Sequence, residues 1–168
     1  MKKKTSYIIL ISIIVLGIAI DLVTKIIFAN VLSSGDIVLI PNFLTFTYVE
    51  NTGAAFGMLG DSTWLLILIS IVFIVAFVIF DFYNHANNHL YIWGVGLIMA
   101  GAIGNFIDRI FLGYVRDFIS IRIFSFVFNM ADMFITFGII IFAIYLIISM
   151  INEAKEKKGK ESNETNDK

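Results

Sequence analysis

Asp117 and Asp132 are the residues on which a reaction can be built. Each stands in a short polar run, Val115-Arg116-Asp117-Phe118 and Phe128-Asn129-Met130-Ala131-Asp132, bordered by side chains that belong in lipid. A carboxylate at the edge of a bilayer is expensive, and two held close together do not both ionise easily. Such a pair shares one proton and titrates as a unit. The ionised member can take a proton from water while its protonated partner gives one to a carbonyl oxygen. The expected chemistry is peptide-bond hydrolysis by an aspartic dyad at the rim of a membrane. Asp132 stands at the start of an apolar helix, whose N-terminal dipole favours the anion, so it is the favoured base. Asp117, in a loop, has no such bias, and which residue holds the proton stays open.

The remaining polar residues fall at the same depth. Asp21 lies about 21 Å along its helix from Tyr7, and Lys25 follows one turn later on the same face. Asn105, Asp108 and Arg109 occupy positions i, i+3 and i+4 near the end of another apolar run, and Asn129 stands at the entrance to a third. Asp21 is expected to pair with Lys25, and Asp108 to orient Arg109, as locks between helices. That pairing leaves Asp117 and Asp132 for catalysis. Arg116 follows directly before Asp117 in an extended segment, so its side chain points to the opposite side. Asn51 opens the small-residue stretch Gly53-Ala54-Ala55-Phe56-Gly57, whose backbone either approaches a substrate or simply turns tightly.

Other chemistries find little footing. The chain has no cysteine, which removes disulfides, thiolate metal sites and a cysteine nucleophile. His85 and His89 are four apart without the intervening carboxylate of a zinc-protease motif, and they read as loop residues. The net charge of −1, with charges gathered at the termini, argues against a nucleic-acid partner.

The scaffold for these residues is a helical membrane body. Of the 168 residues 59% are hydrophobic and 15% charged, against about half and a quarter in soluble domains, and the mean hydropathy is +0.91. Four runs are long enough to cross a bilayer core, which takes about 20 residues: Tyr7 to Ala29, Trp64 to Tyr83, Leu90 to Leu112 and Met130 to Ile151. Lys2, Lys3 and Lys4 precede the first run, and Lys155, Lys157, Lys158 and Lys160 follow the last. The positive-inside rule then puts both termini in the cytoplasm and the loops 30–63 and 113–129 outside. The lysine-led start resembles a secretory signal, but its apolar run is too long and carries Asp21 and Lys25, so a retained helix is expected. Residues 1–151 form one expected transmembrane domain, and 152–168 a polar, disordered tail.

A small sheet is expected outside the helices. Two β-rich runs flank Pro41-Asn42, and Leu44, Phe46 and Tyr48 alternate with Thr45 and Thr47. Ile119 to Phe124 also alternates and is a candidate further strand. The sheet's apolar face needs cover, from the bilayer surface or from a helix. Gly96, Ala100 and Gly104 recur every four residues, a pattern that lets another helix come close.

Taken in order, Asp21-x-x-x-Lys25, Asn51-Thr-Gly-Ala-Ala-Phe-Gly57, Gly101-Ala-Ile-Gly-Asn105-Phe-Ile-Asp108-Arg109, Val115-Arg-Asp117-Phe118 and Phe128-Asn129-Met-Ala131-Asp132 resemble the motif series of bacterial lipoprotein signal peptidases (signal peptidase II). Leu22 stands where that family usually has Gln, and Ala100 where it usually has Gly. The resemblance implies a mainly α membrane protein with four transmembrane helices and a small extracytoplasmic β-sheet, or cradle, beside a mobile loop helix. It implies a multi-pass endopeptidase of the bacterial cytoplasmic membrane, with its site near the outer face. The implied substrate is a diacylglyceryl-modified prolipoprotein, cut just before the lipidated cysteine. It implies Asp117 and Asp132 as the catalytic dyad, and Asp21, Lys25, Asn51, Gly53, Asn105, Asp108, Arg109 and Asn129 as residues that bind substrate or shape the site. It further implies no metal or other cofactor, sensitivity to globomycin-type inhibitors, contact with membrane lipid, and a monomer. A transporter component and a non-catalytic scaffold are the rivals; the first would need polar steps through the apolar inner halves of the spans.

Overall fold

The computed structural model describes residues 3–53, 63–124 and 126–166, with side chains described as far as Lys157. In chain order the elements are α1 (Lys3–Val31), a 3-10 turn (Leu32–Ser34), β1 (Ile37–Ile40), β2 (Leu44–Asn51), α2 (Thr63–Asn84), α3 (His89–Leu112), β3 (Val115–Ile121), β4 (Val127–Phe128) and α4 (Met130–Asn166). The four α-helices are each long and apolar enough to cross a membrane. Helical backbone continues to Asn166, where an irregular tail was expected after Ile151. The Glu- and Lys-rich tail consists largely of good helix formers, and Glu153 and Lys157 stand four apart.

α3 is the axis of the bundle. Its small residues are spaced to receive α1 rung by rung. A Cβ on Gly96 would meet Ile13, one on Gly17 would meet Ala100, and one on Gly104 would collide with the Asp21 carboxylate. The fourth rung is polar, with Lys25 Nζ 3.5 Å from Asp108. Both helices advance by four residues per rung and therefore run parallel, and the expected small-residue face is this contact. α4 packs antiparallel on another side of α3, where Gly101 lies under the Ala131 carbonyl. α2 buries none of its side chains in the protein, as suits a helix surrounded mainly by lipid.

His85 lies in the loop after α2, with Nδ1 2.9 Å from Asp81 Oδ1 and Nε2 2.9 Å from Ser6 Oγ. Asn88 caps α3 by accepting from the Leu90 N–H at 2.8 Å. At the other end Gly113, at φ +83°, donates its N–H to the Arg109 carbonyl and turns the chain straight into β3.

The sheet is antiparallel throughout in the order β1-β2-β3-β4. Pro41-Asn42 makes the first hairpin, with Asn42 at φ +59° and the Phe43 N–H bonded to the Ile40 carbonyl at 3.0 Å. The additional strand starts four residues before the alternating stretch that announced it, at Val115. This matters because it puts Arg116 and Asp117 in a strand. Phe28 of α1 stacks on Phe118 at 4.4 Å and packs on Phe46 at 4.7 Å. Leu32, Met130 and Met133 complete the cover, so helix ends supply it. Fully burying a side chain such as Phe118 is worth about 1.5–3 kcal/mol, which seats β3 firmly against α1.

Candidate active site

Asp117 and Asp132 meet through one residue, Asn129. The Asn129 side-chain amide donates to Asp117 Oδ1 at 2.6 Å, and its backbone N–H donates to Asp132 Oδ2 at 3.1 Å. In return the Asp132 N–H donates to Asn129 Oδ1 at 3.1 Å. This reciprocal pair is a capping box with Asn at the cap and Asp at its third following residue. The signal that starts α4 is thus the same signal that fixes one carboxylate. Each acid has a second amide donor. Asn51, at the end of β2, gives Nδ2 to Asp117 Oδ2 at 2.8 Å; Asn105 of α3 gives Nδ2 to Asp132 Oδ1 at 2.8 Å.

The two carboxylates are not equivalent. Asp117 is only 2% exposed, whereas Asp132 is half-buried. Burial lifts the Asp117 carboxyl from its ordinary 3.8 to about 6. The Asn51 bond opposes this rise, the Asp132 charge adds to it, and the Asn129 bond again opposes it.

Beneath the pair lies a buried ionic cluster. Lys25 Nζ bonds Asp21 Oδ2 at 2.8 Å and Asn105 Oδ1 at 2.9 Å, as the i,i+4 spacing of Asp21 and Lys25 required. Asp21 Oδ1 accepts the Ala131 N–H at 2.9 Å, so α1 also caps α4. Asn105 Oδ1 receives Asn129 Nδ2 at 3.1 Å as well.

One expected pairing is corrected. Asp108 does not orient Arg109; it binds Arg116, whose Nη2 lies 2.6 Å from Oδ1, whose Nε lies 3.2 Å from Oδ2, and whose backbone N–H donates at 3.0 Å. The bond to Asp108 raises the Arg116 pKa above its ordinary value. Adjacent residues on an α-helix point about 100° apart, so Asp108 turns toward α1 and β3 while Arg109 turns away. Arg109 instead lines a cleft of about 350 Å³ with Asn105, Ile135 of α4, and Ile69, Ser70 and Phe73 of α2. Its Nε is buried without a hydrogen-bond partner among the described residues. Arg116 is the Asp108 partner that the pairing argument missed. The signal was its alternation with Asp117, which did send the two side chains to opposite faces.

Gly53 donates its N–H to Asn51 Oδ1 at 3.2 Å, closing a turn that orients the amide on Asp117. The rest of the small-residue stretch, residues 54–57, and the expected loop helix lie outside the described residues. The structure therefore brings Asp21, Lys25, Asn51, Gly53, Asn105, Asp108, Asn129, Asp117 and Asp132 into one connected polar network, with Arg109 at its edge.

Comparison with known proteins gives a consistent answer. The profile of the family described as Signal peptidase (SPase) II matches residues 13–148. The lipoprotein signal peptidase of Clostridium tetani is 44% identical over 140 residues, covering 80% of this chain and 90% of that protein. The lipoprotein signal peptidase of Staphylococcus haemolyticus is 40% identical over 163 residues, covering 92% and 98%. A bacterial membrane enzyme solved by the in meso method superposes with a TM-score of 0.72 at 34% identity, covering 89% of this chain and 92% of that one.

Proposed function

The chain belongs to the signal peptidase II family of membrane proteases, and we propose that it works as an aspartic endopeptidase whose dyad is Asp117 and Asp132. The observation that carries this reading is the Asn129 bridge between two carboxylates, one of them buried so that its pKa is pushed up to about 6. Asp132, half-open and at a helix N-terminus, is the base that takes a proton from water. Asp117, buried, gives its proton to the scissile carbonyl oxygen as the hydroxide adds to the carbon. Asp132 then passes the water's proton to the amide nitrogen. The carbon–nitrogen bond breaks, the oxygen's proton returns to Asp117, and acid and amine leave. Atoms and charges balance, and the dyad ends as it began.

The substrate of this reading is a diacylglyceryl prolipoprotein, cut before the lipidated cysteine. Asn51, Asn105, Asn129 and Gly53 hold the dyad. The cluster of Asp21, Lys25, Asp108 and Arg116 sets the helix ends around it, and Arg109 faces the substrate. With the sheet on the outer face and both termini in the cytoplasm, the lipid chains remain in the outer leaflet during cleavage. The enzyme acts as a monomer and is blocked by globomycin-type peptides.

The test is cleavage of a purified lipidated prolipoprotein by the protein in proteoliposomes, read as a gel shift and by mass of the product. Asp117→Asn and Asp132→Asn should each abolish the shift while the circular dichroism in membranes is unchanged. Cleavage at the parent rate by either variant overturns the dyad.

A further inference from the structure

We propose that the apolar groove between the β3–β4 hairpin and α4 holds an acyl chain of the lipid-modified substrate and selects for its length; this rests on the peptidase reading above. The groove has a volume of about 300 Å³, and Asp132 is one of the residues that line it. Phe124, Phe126 and Phe128 form one wall, and Met133 and Phe137 of α4 the other. The hairpin rings touch one another, with Phe124 and Phe126 stacked at 5.4 Å and Phe128 at 6.3 Å from each. Phe126 and Phe137 are each 52% exposed, so the groove opens sideways between them rather than closing into a core.

The chemistry of the walls chooses the occupant. Apart from Asp132, the polar side chain present is Thr136, and its hydroxyl already donates to the Asp132 carbonyl at 2.8 Å. A peptide segment laid here would leave its N–H and C=O groups unpaired, at a cost an acyl chain does not incur. The cleft lined by Ser70, Asn105 and Arg109 is different, because its polar lining groups suit a peptide backbone and are useless to a hydrocarbon. In the proposed substrate the thioether lies four bonds from the scissile carbonyl carbon and the nearer acyl carbonyl four bonds further, so the flexible glycerol linker lets an acyl chain start beside the dyad, in reach of a groove that Asp132 lines.

Bilayer lipid is as apolar as this groove, so selection comes from packing against the rings and not from escape from water. The test uses two substrates with the same peptide, one dipalmitoyl and one dibutyryl, in proteoliposomes. The wild-type chain should cleave the long-chain substrate with about tenfold higher kcat/KM, and Phe126→Ala and Phe137→Ala should each cut that ratio to about twofold. Both side chains are half-exposed, and thermal unfolding checks that the variants fold. A third substrate with Ala in place of Leu three residues before the cut tests the peptide alternative. If the variants alter the Leu-to-Ala ratio and leave the chain-length ratio at the parent value, the groove holds a side chain and the proposal is overturned. An unmoved chain-length ratio in both folded variants overturns it alone, whereas failure of the wild-type chain to cleave any of the substrates overturns the peptidase reading with it.

Discussion

Replacing Asn129 by serine separates two jobs that one residue performs. Its Oδ1 caps α4 by accepting the Asp132 N–H at 3.1 Å, and its Nδ2 donates to Asp117 Oδ1 at 2.6 Å. Serine caps helices about as well as asparagine, so Asn129→Ser should leave the α4 cap in place, and its loss of stability should come from the missing Asp117 bond and grow as pH rises and Asp117 ionises. Serine has no amide to give Asp117. A hydrogen bond to a charged group is worth about 1.5–3 kcal/mol, and each pH unit about 1.4 kcal/mol. Losing that donor raises the Asp117 pKa, which starts from about 6, to about 7 or 8. The sign follows from which form the bond favours: the amide stabilises the carboxylate, so its removal favours the proton. The alkaline limb of kcat/KM, where the shared proton leaves, should therefore move up by the same amount in a pH series on lipidated substrate. Asn129→Ala should show the same limb and also lose about 1 kcal/mol of stability with the cap. A folded Asn129→Ser whose alkaline limb stays at the wild-type pH, or moves down, refutes the assignment of Asp117 as the acid.

Three further outcomes are expected. The Asp117 carboxyl stands above 3.8 in the folded protein, so its contribution to stability is complete below about pH 4 and fades as pH rises through about 6; the difference is about 3 kcal/mol, and pH-dependent melting of wild type should show it where Asp117→Asn does not. Gly104→Ala places a methyl against the Asp21 carboxylate and should destabilise by about 1–3 kcal/mol in denaturant unfolding; a neutral result would remove the rung at this level. Arg116→Ala strips buried Asp108 of its closest cation and should cost about 3–5 kcal/mol, whereas Arg109→Ala should leave the melting curve in place and lower kcat/KM; the reverse pattern would restore the Asp108–Arg109 pairing.

The spans were legible because lipid-facing helices need only length and apolar side chains, both written along the chain. The polar level was legible for a related reason: a charged residue inside such a run has few places to go, and Asp21 with Lys25 one turn apart find each other without help from the fold. Asp108 was misread because its partner comes from β3, not from its own helix. Adjacency along a helix favours Arg109 on paper, but the helix sends neighbours in different directions, and only the turn at Gly113 brings Arg116 back beside Asp108. The α1–α3 ladder was half-legible. The spacing of Gly96, Ala100 and Gly104 announced a close approach, yet only the fold shows that Ile13, Gly17 and Asp21 fill it. The helical backbone of α4 runs on to Asn166 because the polar composition after Ile151 is also good helix composition.

The charge count around Asp117 and Asp132 fits the proposed dyad, a pair that would have to keep a proton although many ionised groups surround it. Lys25 and Arg116 balance Asp21 and Asp108, and each of these four lies within 3.5 Å of an opposite charge. The cluster is neutral as a unit and exerts little net field on its neighbours. Asp117 and Asp132 are contacted by the amides of Asn51, Asn105 and Asn129 rather than by cations among the described residues. A guanidinium bonded directly to Asp117 would pull its pKa down against the rise that burial causes and empty the pair of its proton at lower pH. Arg109 lines the cleft with Asn105, and its Nε is unpartnered among the described residues. The cations that tie the helices together are thus spent on Asp21 and Asp108, and the acids of the proposed dyad are held by neutral donors. Arg109→Lys tests this separation: it keeps the charge but loses the planar fork, so it should leave the alkaline limb at its wild-type pH while lowering kcat/KM. A limb that moves would place Arg109 in the titration of the dyad and break the argument.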